Sequence, residues 1–216
     1  MKRTSRILIT LCMPLLLCGT ALAQHSGPYV GAFVGGNSLA TAKSTDDQGA
    51  FNLEFKPALQ GSAVVGWDME HNNTLGEGRV ELEYSRRSNK IDQVGLLEGK
   101  FKGSGSLTMD SLLINGFAVF SDKTFWAPYF GIGIGVARIV ADNLQVTGQP
   151  LSNDTALVFA YQVGAGLDLI LTDYLSLDLG YRFLSSTKPK FKEINGRSFE
   201  TEYFNHSAVF GFRVGF

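Results

Sequence analysis

Between Phe159 and Phe183 the chain alternates with period two, and no other feature of the sequence constrains the fold as tightly. Phe159, Tyr161, Val163, Ala165, Leu167, Leu169 and Leu171 share one face, opposite Ala160, Gln162, Gly164, Gly166 and Asp168. After Thr172-Asp173, Leu175, Leu177, Leu179, Tyr181 and Phe183 share a face opposite Ser176, Asp178, Gly180 and Arg182. A strand separates the members of each pair of sets, whereas a helix would mix them. Two such runs joined by two residues predict a tight hairpin.

The same alternation, less clean, marks six more segments: residues 28–36, 59–68, 79–87, 108–121, 127–139 and 206–216. In the third, Val80, Leu82 and Tyr84 oppose Arg79, Glu81, Glu83 and Ser85. In the fourth, Leu112, Ile114, Ala118 and Phe120 oppose Ser111, Asn115 and Phe117. In the fifth, Phe130, Ile132, Ile134 and Val136 oppose Gly131, Gly133 and Gly135, and in the last Ala208, Phe210, Phe212, Val214 and Phe216 oppose Ser207, Gly211, Arg213 and Gly215. Eight strands are thus expected, joined alternately by loops of about 20 polar residues and by shorter turns around Asn72-Asn73, residues 121–124 and Thr172-Asp173. Long connections on one rim and short ones on the other predict an eight-stranded antiparallel up-and-down transmembrane β-barrel with periplasmic termini.

Alternation alone does not say which face meets water. The polar face carries Arg79, Glu81, Glu83, Asp168, Asp178, Arg182 and Arg213 together with many glycines. Glycine makes up about 12% of the chain against a usual share of about 7%, and a narrow lumen needs the space that missing side chains leave. Trp67, Trp126, Tyr174 and Phe216 end the apolar faces, as aromatic girdles at a membrane interface would. The apolar faces are therefore expected to meet lipid. No later stretch is long and apolar enough for a helical span.

The N-terminal segment reads as a separate unit. Lys2, Arg3 and Arg6 precede an apolar run over residues 7–17, and Ala21-Leu22-Ala23 forms a small-x-small site before Gln24. These are the parts of a secretory signal peptide, residues 1–23, cleaved between Ala23 and Gln24, leaving a barrel domain at 24–216. Cleavage removes three cations and no acid, so the mature chain carries 16 Lys+Arg against 20 Asp+Glu. Both cysteines, Cys12 and Cys18, leave with it, which excludes disulfides and thiolate chemistry. A mildly acidic chain without a basic stripe is not a nucleic-acid binder.

The runs Pro28-Tyr29-Val30-Gly31-Ala32-Phe33-Val34-Gly35-Gly36, Arg79-Val80-Glu81-Leu82-Glu83-Tyr84 and Pro128-Tyr129-Phe130-Gly131-Ile132-Gly133-Ile134-Gly135 resemble the small eight-stranded outer-membrane proteins of Gram-negative bacteria. So do Phe159-Ala160-Tyr161-Gln162-Val163-Gly164-Ala165-Gly166 and Leu177-Asp178-Leu179-Gly180-Tyr181-Arg182-Phe183. The group includes the OmpA/Opa-like barrels and, closer in the Tyr-Gln-x-Gly region, the Msp4/P44 surface antigens. The resemblance covers the mature chain and implies fold and location more than role. It also implies a C-terminal signal read by the outer-membrane assembly machinery, matched here by Gly211, Val214 and terminal Phe216, with Val209 departing from the usual polar residue.

Chemistry is sparse. An eight-stranded lumen has room only for its own side chains, and buried charges must be paired, so Arg213 or Arg182 is expected to bridge to Glu81, Glu83 or Asp178. Of the three histidines after residue 24, His206 precedes Ser207, but neighbours on a strand point to opposite faces and do not form a nucleophile–base pair. No cluster has metal-ligand spacing; Thr45-Asp46-Asp47-Gln48-Gly49 lacks the fuller ligand pattern of a calcium loop. The Gly131-x-Gly133-x-Gly135 run has strand period and no following helix, so it is not a dinucleotide fingerprint. No catalytic residue, cofactor or metal is expected. The expected role is envelope integrity or surface interaction, as adhesin or antigen, through four loops that include the basic segment Lys188-Pro189-Lys190-Phe191-Lys192. Lipopolysaccharide and a host ligand are the expected partners; a narrow solute pore or ligand-binding transporter is the alternative.

Overall fold

A computed structural model of the chain describes residues 26–46, 49–69, 77–96, 99–121, 124–194 and 196–216. The signal segment with its Ala23/Gln24 junction, His25, His71 and Asp47 lie outside the described residues. All the strand pairings described are antiparallel. The strands are β1 (Gly27–Leu39), β2 (Ala42–Asp46), β3 (Gly49–Phe55), β4 (Ala58–Asp68), β5 (Glu77–Leu96), β6 (Gly99–Val119), β7 (Trp126–Val146), β8 (Gln149–Ile170), β9 (Leu175–Ser186), β10 (Lys190–Lys192), β11 (Ser198–Thr201) and β12 (Phe204–Gly215).

Eight of them close a ring in the order β5-β4-β1-β12-β9-β8-β7-β6, with β6 pairing back onto β5. These correspond to the eight alternating segments of the sequence, and the outward and inward residues fall as the alternation divides them. Val34, Leu112, Ile132, Phe159, Leu179 and Phe210 are exposed on the outside, while Arg79, Glu81, Asp168, Asp178 and Arg213 are buried inside.

The long connections differ from the expectation of polar loops. In the first of them β2 and β3 pair antiparallel, and β10 and β11 occupy the connection between β9 and β12. The other two long connections are continuations of β5–β6 and β7–β8, strands of 20–22 residues, about twice what crosses a bilayer. Beyond the ends of β4, β1, β12 and β9, the short strands β3, β2, β11 and β10 take over their places, pairing in the order β10-β11-β2-β3-β5. The backbone carries the exchange: Ala40 N donates to Phe204 O at 2.8 Å, and Lys56 N to Lys90 O at 2.9 Å. The far side closes where β8 meets β10, through the bridge Ser152↔Glu193. A second ring thus stands on the first.

Within the second ring the two faces exchange character, and β5 shows the change along one strand. Its inward residues run Arg79, Glu81, Glu83, Ser85, Arg87, Asn89 and then Ile91 and Val94; its outward residues run Val80, Leu82, Tyr84 and then Arg86, Ser88, Lys90 and Asp92. A register shift between Lys90 and Gln93 adds the residue that turns Val94 inward. In β7 a shift between Ala141 and Leu144 does the same for Leu144. Leu53, Leu107, Ile139, Leu144, Phe191 and Phe199 meet inside as an apolar core. The first ring is apolar outside and charged inside; the second has the opposite arrangement, that of a water-exposed protein. The loops looked polar because only their outward residues are. The β7–β8 hairpin ends in a two-residue turn, Thr147 (φ 49°) and Gly148 (φ 80°), with the positive angles of a type I′ turn.

Candidate functional site

The lumen of the first ring is filled in layers. Nearest the short turns, the Arg79 guanidinium reaches Glu81 at 3.1 Å, Asp168 at 2.7 Å and Asp178 at 3.8 Å. Arg213 also binds Asp168 and lies 3.4 Å from Asp68. Asp168 and Asp178 are direct cross-strand partners, a like-charge placement that repels unless a cation sits between them; Arg79 is that cation. Tyr29 Oη donates to Glu81 at 2.7 Å and Tyr129 Oη to Asp178 at 2.6 Å, tying the aromatic rings into the network.

The expected pairings of Arg213 and Arg182 with Glu81, Glu83 or Asp178 are therefore replaced by others. Shear between strands sets which residues share a level, and it brings Asp68 and Asp168 to Arg213. Arg182 lies instead over the rings of Phe117 and Tyr129, 5.0 and 5.2 Å from their centres, with Arg79 4.9 and 4.6 Å from the same rings. Glu83 accepts from Asn115 at 2.8 Å and Gln162 at 3.0 Å. A cavity of about 10 Å³, room for one water, remains between Ser62, Glu81, Glu83 and Arg182. One level further, Arg87 donates to Ser85 at 2.6 Å, and Ser85 bonds Ser111 at 2.7 Å. The apolar core of the second ring begins above.

Asn115 and Gln162 lie on the polar face where the alternation puts them, whereas Asp68, Tyr29, Tyr129 and Arg87 were not among the expected lumen groups. Parity could have found them: Asp68 shares a face with Gln60 and Val64, and Tyr129 with Gly131, Gly133 and Gly135. The glycine excess has a specific use here. Tyr29 faces Gly66, Phe33 faces Gly211, Phe117 faces Gly131, Tyr129 faces Gly166, Arg182 faces Gly164 and Arg213 faces Gly31, each as direct register partners on adjacent strands. A methyl group on any of these glycines would meet the side chain opposite. Each of these six side chains lies across the glycine beside it, the aromatic ones giving the cover of glycine seen in curved sheets.

On the outer face Trp67, Trp126, Tyr174 and Phe216 ring the short-turn end, all exposed, and Tyr84, Phe159, Tyr161, Tyr181, Phe183 and Phe204 lie toward the other boundary. His206 points outward and bonds Tyr181 Oη at 2.6 Å, whereas Ser207 points inward to Gln60 at 2.8 Å. The two face opposite sides of the wall. The basic segment 188–192 is divided likewise: Phe191 is in the core, Lys188 lies 3.6 Å from Glu202, and Lys190 pairs in register with Glu200. At the C-terminus Gly211 faces inward, Val214 and Phe216 outward, and Phe216 N donates to Pro28 O at 3.1 Å. Val209 is apolar because it packs inside with Tyr29, Phe33 and Val64.

Comparison with known proteins agrees with this architecture. A family model described as outer membrane protein beta-barrel domain matches residues 9–216. Outer membrane protein PagN of Salmonella typhimurium is 26% identical over 84 residues, a match spanning 37% of this chain and only 35% of that protein. Among solved structures, Neisserial surface protein A aligns with a TM-score of 0.55 at 18% identity, over 88% of this chain and 98% of that one. OprG from Pseudomonas aeruginosa aligns at 0.57 and 12%, over 89% and 98%. At these identities the likeness is one of fold.

Proposed function

This chain belongs to the outer membrane protein β-barrel family, and from that premise we propose that it is a non-enzymatic surface protein of the Gram-negative outer membrane, acting in envelope integrity or surface interaction. The exchange of faces along β5 and β7 carries the reading. Apolar-out, charged-in packing suits lipid, and apolar-in, polar-out packing suits water, so the boundary near Tyr84/Arg86 and Val136/Arg138 marks the outer edge of the bilayer. The short turns and both termini then lie on the periplasmic side and the second ring stands outside the cell. Nine residues of β5 up to Arg86 rise roughly 22 Å at about 3.3 Å per residue and about 40° tilt, which fits an apolar band about 25 Å tall.

What the protein offers its surroundings is a stiff stem. Its extracellular part is a β-ring with its own core, displaying mixed charge on the outside, and such a surface suits a rigid adhesin or antigen better than a set of mobile loops. The filled lumen speaks against the narrow-pore alternative, since both the ion-pair layers and the apolar core lie across the path.

Deletion of the gene, with complementation by a chain lacking residues 42–55, tests the role. Lost adherence or raised envelope stress that the shortened chain does not restore is the expected result; full restoration would remove the second ring from the function. Planar-bilayer recording is expected to show no discrete conductance, and regular current steps would replace this reading with the pore.

A further inference from the structure

The boundary between lipid and water is not the same all round the barrel. One row of register partners on the outer face runs Gly61 (β4), Arg86 (β5), Asp110 (β6), Arg138 (β7), Leu157 (β8). It lies one pair above the last apolar row on β5–β7, Tyr84, Leu112 and Val136, all exposed. Arg86 and Arg138 flank Asp110 on the two neighbouring strands, about 10 Å apart at two strand spacings. Asp110 is already engaged through one oxygen, accepting from Tyr84 Oη at 2.9 Å and Arg86 at 3.3 Å. The Arg86 side chain remains 63% exposed. Lys90 stands outward two pairs above Arg86 on the same strand, while Lys56 beside it is matched by Asp92 at 3.4 Å. Lys90 has Asp142 in its own row, two strands over through Ser106, so the two rows together carry three cations and two acids, and Arg138 is the cation of the lower row that Asp110 does not engage. On β8, β9 and β12 the outward residues near the boundary include Leu157, Phe159, Phe183 and Phe204, and Lys188 beyond them is held by Glu202.

We infer that the outer face of β5–β7 at this boundary binds the phosphate of an outer-leaflet phosphorylated glycolipid of lipid A type through Arg86 and Arg138, with Asp110 and Tyr84 orienting Arg86. The inference rests on the outer-membrane reading above and names a partner for it. Three features favour that occupant. The row is continuous with the lipid-facing apolar surface, so a ligand seated there has its acyl chains against Leu82, Leu112 and Ile134. The net charge is positive on one side of the barrel. Guanidinium groups match phosphate oxygens bidentately, and here two are presented at the depth where lipid phosphates sit.

The test uses the full mature chain in bilayer nanodiscs of phosphatidylcholine containing bisphosphorylated lipid A, with lipid A retained per protein measured by mass spectrometry. The variant pair Arg86→Gln/Arg138→Gln is expected to retain at least fivefold less, and Arg138→Gln alone, which disturbs none of the ion pairs described, about threefold less. Lys190→Gln/Lys192→Gln, away from the boundary, is expected to retain as much as the parent, and dephosphorylated lipid A to be retained equally and weakly by all. Unchanged retention in Arg138→Gln and the double variant, or an equal fall in the β10 control, overturns the site. Displacement of lipid A by millimolar inorganic phosphate would reassign the site to the free ion and overturn the lipid as its occupant. A protein that inserts into the bilayer yet retains no lipid A removes this site and leaves the barrel reading standing; a protein that does not insert removes that reading first.

Discussion

The Arg79 guanidinium lies 2.7 Å from the Asp168 carboxylate, 89 residues away in sequence, and both side chains are all but sealed from solvent. Asp168 is also the carboxylate to which Arg213 is bound. One acid therefore bridges two arginines projecting from different parts of the wall, β5 and β12, with Glu81 and Asp68 supplying further negative charge, and the layer nearest the short turns is organised around it.

Replacing Asp168 with Asn leaves Arg79 with Glu81 and a distant Asp178, and Arg213 with Asp68 alone. Removing one partner of a buried pair costs about 3–5 kcal/mol, so Asp168→Asn should lower unfolding stability in urea by that order. Asp178→Asn, 3.8 Å from Arg79, should cost clearly less. Equal effects of the two would show that Asp168 is not the centre.

The pairing of glycine with large side chains predicts a sharp positional contrast. A methyl at Gly166 would run into the Tyr129 ring and lie 2.6 Å from Leu179 O, whereas one at Gly116 meets nothing within 4 Å. Gly166→Ala should destabilise by about 1–3 kcal/mol as overpacking does, and Gly116→Ala should stay within about 0.5 kcal/mol. The comparison is made by urea titration of tryptophan fluorescence for the two variants side by side.

The core of the second ring should behave as a unit separable from the barrel beneath. Phe199 is buried between Phe51 and Phe191, its ring centre 5.5 and 5.6 Å from theirs. Phe199→Ala should cost about 3–5 kcal/mol, felt by the extension. Amide exchange should quicken in residues 42–55 and 190–201 and hold steady in the first ring; uniform quickening throughout would mean that the two rings unfold together.

The closure of the second ring carries a pH dependence. Backbone hydrogen bonds from Lys192 N and Thr155 N, each 2.8 Å long, hold the Asp154 carboxyl below its ordinary value. A depressed value in the folded state adds stability above the unfolded value, about 3.9, and loses it as pH falls through the folded one. The Lys192 amide resonance should therefore shift with a midpoint below 3.8 and its protection should fall with it, while Asp154→Asn should give a resonance flat from pH 6 to 2.5. A midpoint at or above 4 would contradict the clip.

At the C-terminus, exposed Phe216 completes the aromatic rim. Deleting it should reduce the amount of chain reaching the outer membrane several-fold without changing expression, as measured by fractionation and immunoblot; normal levels would mean that assembly does not read this residue.

Two rings share one period in this sequence, and only one of them was open to inspection. From Tyr29 to Phe216, the eight strands and the division of each into two faces followed from local alternation, because each strand's neighbours are themselves strands and parity needs no knowledge of them; the charges and glycines of one face then marked it as the lumen. The lumen residues Arg79, Glu81, Glu83, Asp168, Asp178, Arg182 and Arg213 were identifiable for the same reason. Their partners were not. Which acid meets which arginine depends on shear, a property of closure, and so Asp68 and Asp168 rather than Glu83 came to Arg213. The second ring was also decided by tertiary structure. Residues 42–55 and 190–201 alternate too, as Phe191 between Lys190 and Lys192 shows, but over three to seven residues, too short to distinguish from a polar loop until β5 and β8 supply the edges they pair with. Local sequence determined which way each side chain points; closure of the sheet determined what it meets there.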